Sequence, residues 1–240
     1  MSSNQIYPKI VAALEAEGAK SPYKTDANET DPRYKAYGVR MPARKAIFKA
    51  HRPAIRKLPQ AEQINLAERL IQSGWGEQQT MGLYILQPLT KHFMPDTFER
   101  VDGWIHLLHG WSKVDEFSGT FLRDILFAHP DDLLVWVKKW NQEPDMWLRR
   151  MSVVIFTRKV AKSGQFTDIA LEMCDNLIHA EEDLVQKGVG WALKDLMKAD
   201  KDRILDYVRQ LRRDKISSTI TLYAIRDLKG QERKDFLESV

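Results

Sequence analysis

The chain has 240 residues, 43% of them hydrophobic, one cysteine and a formal net charge of +4, with an isoelectric point near 9.0. That composition supports a sizeable core and argues against a disordered chain. No stretch approaches the roughly 18 uninterrupted apolar residues of a membrane span, and MSSNQIYPKI has no apolar signal-peptide centre, so a cytoplasmic protein without membrane attachment is expected.

The first distinctive segment is charged. From Arg33 to Lys57 the sequence carries Arg33, Lys35, Arg40, Arg44, Lys45, Lys49, Arg52, Arg56 and Lys57 and no Asp or Glu. A solvated helix face ordinarily mixes both signs, so the run fits contact with a polyanion, with a merely soluble basic helix as the other reading. Beyond it, apolar residues recur at three- and four-residue spacings over 62–72, 77–89, 114–128, 148–160, 184–197 and 203–211, which predicts helices. Gly74, Pro95, Gly110, Pro130, Pro144 and Gly164 separate these runs, giving about a dozen short helices. Pro53 and Pro88 fall inside helical stretches and are expected to end or kink them. Cys174, in LEMCDNLI, reads as a small buried side chain.

Alignment of the helices on one another exposes a period. Gln79, Asp115, Arg150 and Lys187 are 36, 35 and 37 residues apart, each near the start of an apolar helix. A period of that size, filled by two helices, predicts an all-α, HEAT-like superhelix over residues 1–240 as one domain, with its second helices lining a concave basic groove. On a helical wheel Val185, Val189, Ala192 and Leu196 share one face, while Lys187, Trp191 and Lys194 share nearly the opposite one. Arg150 lies roughly 160° from the Leu148, Met151, Ile155 stripe by the same construction. Both patterns place basic residues and one tryptophan toward the groove. Packing between helices is the other reading of Trp191 and the preferred one for Trp75, Trp104, Trp136, Trp140 and Trp147.

Asp115 is the one carboxylate at the repeated position. Two readings are compatible: Ser112 to Asp115 has the S-x-x-D form of a capping box, and a carboxylate in a first helical turn stays anionic and suits the stabilisation of a cation. Phosphate-binding glycine loops, H-E-x-x-H and paired-cysteine zinc spacings are missing from the sequence, and no metal or cofactor is expected. His106 and His109 read as a polar surface pair.

Three blocks, Trp111-Ser112-Lys113-Val114-Asp115, Trp147-Leu148-Arg149-Arg150 and Gly190-Trp191-Ala192-Leu193, resemble in order and spacing those of the AlkD-type DNA alkylation repair family. Tyr37 to Lys45 is similar to the family's G-[IV]-x-x-P-x-R element, its arginine matching Arg44 or Lys45. The resemblance implies a HEAT-like superhelix that holds duplex DNA in its concave basic face, and a monofunctional glycosylase that removes N3- and N7-alkylated purines; a groove that wraps duplex DNA can work as a monomer, which is the expected state. It implies that Trp111, Asp115 and Trp191 surround the damaged nucleotide's sugar and that Arg150 binds phosphate. Lys187, Lys194, Arg40, Arg44 and Lys45 are the further DNA-binding candidates. The chain departs from the family at Gly110 and Ser112, where relatives often carry an aromatic and an acidic residue. A non-catalytic nucleic-acid binder and a protein-interaction scaffold remain the alternative functions.

Overall fold

A computed structural model describes residues 2–21, 31–93 and 95–239. Among these the chain is a helical-repeat protein, its one extended pairing being an isolated bridge between Lys35 and Trp75. No helix of the described residues is long and apolar enough to cross a membrane. The chain forms two compact units, Met1–Asp132 and Leu133–Val240.

In the first unit, α1 (Ser3–Gly18), α3 (Gln60–Gln72) and α5 (Pro95–Ile105) form one row of neighbours, and α2 (Met41–Ile55), α4 (Gly76–Leu86) and α6 (Trp111–Phe117) form a second. The rows join where α1 meets α2 and α3 meets α4, through apolar faces such as Leu66, Ala67, Leu70 and Ile71 of α3. Burial of each such Leu or Ile removes enough apolar surface from water to contribute about 1.5–3 kcal/mol. The period is visible as polar rungs: Arg44 Nη1 donates to Thr80 Oγ1 at 3.1 Å, and Thr80 Oγ1 donates to Glu116 Oε2 at 2.8 Å, each step spanning 36 residues. Pro88 opens a 3₁₀ segment, Gln87–His92, and α4 ends at Leu86 as its missing N–H requires. Pro53 sits nearer the end of α2, which runs only to Ile55.

After α7 (Arg123–Ala128), the second unit begins within α8 (Pro130–Asn141) and continues as α9 (Met146–Val154), α10 (Lys159–Ser163), α11 (Thr167–Asp175), α12 (Asp183–Leu196), α13 (Lys201–Arg213), α14 (Ser218–Ala224) and α15 (Gly230–Glu238). Here α9, α12 and α14 make the continuous row, with α11 against α9 and α12, and α13 against α12 and α14. Val185, Val189, Ala192 and Leu196 are buried, as their shared face requires. Gly190 explains how closely α12 and α14 approach: a Cβ there would lie 2.7 Å from Tyr223 Cβ and 2.8 Å from the Ile220 carbonyl oxygen. Cys174 is fully buried, and burial pushes its thiol up. Trp104, Trp140 and Trp147 are core residues, and Trp75 stacks on Tyr37 with centroids 4.2 Å apart.

The helix expected over 148–160 is interrupted. It stops at Val154, and Arg158 adopts φ 57°, ψ −117°, a left-handed conformation that ends any α-helix and costs a non-glycine residue roughly 1–3 kcal/mol. A partner on another helix offsets that cost.

Candidate functional site

The first group of site residues stands at the start of α6. Gly110 precedes the helix with φ 87° and ψ 140°, a conformation open to glycine and strained for other residues. Trp111 is therefore the first helical residue and Ser112 the second. The expected capping box does not form: Ser112 is past the cap position, the helix has no side-chain cap, and Asp115 belongs to its second turn. The anion-stabilising first-turn position proposed for Asp115 falls with it.

Trp111 and Asp115 are four residues apart and so share a helical face. Asp115 is 7% exposed. Trp111 is half-buried, and its indole Nε1 and the neighbouring Ser112 Oγ are buried atoms with no hydrogen-bond partner among the described residues. A donor left in that state costs about 1–3 kcal/mol, so it is retained against a stability penalty. Just beyond Asp115 the helix widens into a π segment, Ser118–Leu122. Ser118 Oγ donates to the Val114 carbonyl at 2.7 Å, Thr120 Oγ1 to that of Glu116, and Arg123 Nη1 to that of Gly119 at 2.8 Å. These side chains take up carbonyls of the turn being widened, at a kind of insertion often found beside functional sites.

On nearly the opposite side of α6, at 100° per residue, lies a charge network that the sequence did not reveal. Lys113, only 2% exposed, donates to Glu116 and, at 2.6 Å, to Thr80 Oγ1, while Arg44 lies 3.8 Å from the same Glu116 oxygen. Burial lowers the Lys113 ammonium below its ordinary value against the pull of Glu116. Burial acts to raise the Glu116 carboxyl, but Lys113, Arg44 and Thr80 outweigh it and hold the group below the ordinary carboxylate range. Arg44 is thus mostly committed internally. Gln79 is buried too, its Nε2 donating to the carbonyls of Leu107 at 2.9 Å and Ile71 at 3.3 Å. Arg40 and Lys45 are exposed at the start of α2. The loop before them is fixed by Glu77, whose carboxylate accepts the backbone N–H groups of Tyr37, Gly38 and Val39 at 3.0, 2.8 and 2.9 Å.

In the second unit Arg150 does not follow its wheel. It is 5% exposed and donates through Nη1 to the Leu184 carbonyl of α12. The wheel accounts for the face α9 turns from its own stripe, but α12 covers that face. Gly188 leaves the space, since a Cβ there would already stand 3.4 Å from Arg150 Cγ. Lys187 is exposed and pairs with Asp183 at 2.6 Å. Trp191 is half-buried; its Nε1 donates to Asp195 Oδ2 at 3.1 Å, and the Arg158 guanidinium lies 4.9 Å from its ring centroid.

Asp195 organises this cluster. It accepts from the Arg158 backbone N–H at 2.7 Å and pairs with Lys198 at 2.7 Å and Lys194 at 3.2 Å. Lys194 also pairs with Asp227 at 3.2 Å. Burial acts to raise the Asp195 carboxyl, and Lys198, the Arg158 N–H and Lys194 outweigh it, so the group is held below its ordinary value. Trp191 and Lys194 thus meet at one carboxylate. Asp195 and Glu116 were missed because neither belongs to a motif; their places four residues after Trp191 and three after Lys113 were the available signals.

The comparisons with known proteins agree with this architecture. Residues 10–228 match the family model described as DNA alkylation repair enzyme. A solved structure described as a predicted DNA alkylation repair enzyme from Enterococcus faecalis shares the fold with a TM-score of 0.71 at 15% identity, over 95% of this chain and 97% of that one. No curated protein matches by sequence. With the family model spanning most of the sequence, the chain belongs to the DNA alkylation repair enzyme family.

Proposed function

We propose that this member of the family is a monofunctional DNA glycosylase that hydrolyses the N-glycosidic bond of cationic N3- or N7-alkylated purines in duplex DNA. The observation that carries the reading is the pairing on one face of α6 of a nearly buried carboxylate, Asp115, with Trp111, whose indole N–H has no hydrogen-bond partner among the described residues. Alkylation gives the base a positive charge, so the bond breaks with its electron pair leaving on the base, which departs neutral. The positive charge passes to the sugar, where Asp115 stabilises it. Water then adds at the sugar carbon and releases its proton to Asp115 or to solvent, leaving an abasic site.

Opposite unit charges about 4 Å apart at an effective dielectric near 20 interact by roughly 4 kcal/mol, equivalent to about a thousandfold in rate if realised only in the transition state. Trp111 presents its aromatic face to the sugar and favours its developing charge. Backbone phosphates are assigned to Lys187, Arg40 and Lys45, which are exposed. Arg44, Arg150 and Lys194 act beside them from largely internal positions. The protein works as a monomer in the cytoplasm, needs no cofactor, and uses residues 1–240 as one DNA-binding domain.

The test is single-turnover release of N7-methylguanine from duplex DNA. Wild type should release it, and Asp115→Asn, nearly equal in volume, should be at least about tenfold slower with DNA affinity unchanged or higher. No release by wild type from any cationic alkylpurine would leave a non-catalytic DNA binder, and equal release by a folded Asp115→Asn would remove Asp115 from the chemistry.

A further inference from the structure

The basic run of α2 has a use that its ion pairs do not account for. Lys45, Lys49 and Arg52 follow one another at spacings of four and three residues and so form a single stripe along the helix. All three are exposed and, among the described residues, none of their side chains has a hydrogen bond or ion pair. Arg44, one residue from this stripe, shows the contrast, because Thr80 and Glu116 occupy it. The stripe borders a cavity of about 600 Å³ wholly inside the first unit, whose wall includes Phe48, Tyr84 and Pro88. That volume falls within the roughly 300–1,000 Å³ of small-ligand clefts.

The cavity therefore has two unlike surfaces. Its aromatic side is made by Phe48 and Tyr84, in edge contact with centroids 5.2 Å apart and both half-buried. Burial and the nearby Glu116 charge raise the Tyr84 phenol against the opposing pull of Arg44, so this side carries no negative charge at neutral pH. The one carboxylate in the wall, Asp124, is already engaged by Gln87 at 3.0 Å and by Arg123 at 2.6 Å. Cations without counter-ions beside an apolar aromatic surface match a ligand that joins an anion to a flat ring.

We propose that this cavity binds an unpaired nucleotide of a DNA strand, its phosphate against Lys45, Lys49 and Arg52 and its base against Phe48 and Tyr84. Stacking on an aromatic side chain accepts any base, and a row of cations follows the backbone without reading sequence. The site extends the proposed DNA-repair function by supplying a single-strand contact that the chemistry at Asp115 does not require. A free nucleoside phosphate offers the same chemistry from another source.

A short oligothymidylate carrying one 2-aminopurine reports both halves of the site, since stacking quenches that base. Wild type should bind it with quenching; Phe48→Leu, which keeps apolar bulk, should bind about tenfold more weakly with less quenching and an unchanged melting temperature. Replacing Lys49 and Arg52 together by Ala should lower the salt dependence of binding, each lost phosphate contact reducing the slope by about 0.7. Affinity and quenching unchanged in both variants would overturn the proposal. Thymidine 5′-monophosphate competing as effectively as the oligonucleotide would overturn the strand assignment in favour of a free nucleotide. Base release from alkylated duplex separates this site from the proposed function: retained release with no strand binding defeats only the cavity, and strand binding without release defeats only the glycosylase.

Discussion

In the first unit Glu116 collects Lys113, Arg44 and Thr80; in the second Asp195 collects Lys194, Lys198 and the Arg158 amide. Both carboxylates are held below their ordinary values, and both neutralise cations that the sequence presents as a basic surface. They treat the nearby tryptophan differently. Asp195 accepts the Trp191 indole N–H and so fixes that ring, whereas Trp111 keeps a buried N–H without a partner among the described residues. The contrast teaches that a buried ion cluster between repeats can serve stacking alone or can also aim an aromatic ring, and that the ring left unsatisfied is the one with a donor to offer.

The largest effect should come from the cation with least access to water. Lys113→Ala leaves the Glu116 charge with Arg44 at 3.8 Å and Thr80 as its remaining partners, and removal of one partner from a buried pair commonly costs about 3–5 kcal/mol. Lys198 is half-exposed where it meets Asp195, so Lys198→Ala should cost less than about 1 kcal/mol. Urea unfolding of the two variants checks the difference. Equal losses would mean that burial does not distinguish the clusters.

Acid should affect both clusters in the same direction and the engineered variants differently. A carboxyl held below its unfolded value contributes stability that is complete above that value and is lost as pH falls through the folded value. For Glu116 and Asp195 the unfolded values are near 4.5 and 3.8, so the melting temperature should hold at neutral pH and decline below about 4.5. Glu116→Gln should be less stable than wild type at pH 7 and lose less on acidification. A parallel acid decline in the two proteins would assign the titration to other carboxylates.

The repeat was legible because it rests on local periodicity: stripes such as Val185, Val189, Ala192 and Leu196 are buried, and Arg44, Thr80 and Glu116 form rungs at the expected interval. The orientation of Arg150 was not, because a wheel knows only its own helix, and the space Gly188 leaves on α12 decides the matter. The same limit applies to the cations. Composition marks the run from Arg33 to Lys57 as basic, but Arg44 is paired through residues 36 and 72 positions away, while Lys45 beside it has no partner among the described residues. The start of α6 was misplaced for a third reason, since Gly110 occupies the cap by its backbone conformation and leaves Ser112 inside the helix.

A small expected effect isolates what Asp195 does for the backbone. Arg158 has φ 57°, and its amide donates to Asp195 at 2.7 Å, so the carboxylate holds in place a conformation that an L-residue resists. Arg158→Ala and Arg158→Gly both remove the guanidinium from the Trp191 ring, so that loss cancels between them. Only glycine relieves the strain, roughly 1–3 kcal/mol for a non-glycine residue in such a region, against roughly 0.4–1 kcal/mol for the greater freedom of its unfolded chain. Arg158→Gly should therefore be the more stable by about 1 kcal/mol, or about 2–4 °C in melting temperature for a chain of this size. An alanine variant as stable as the glycine variant would show that the backbone at Arg158 is unstrained and that the Asp195 hydrogen bond is not needed to hold it.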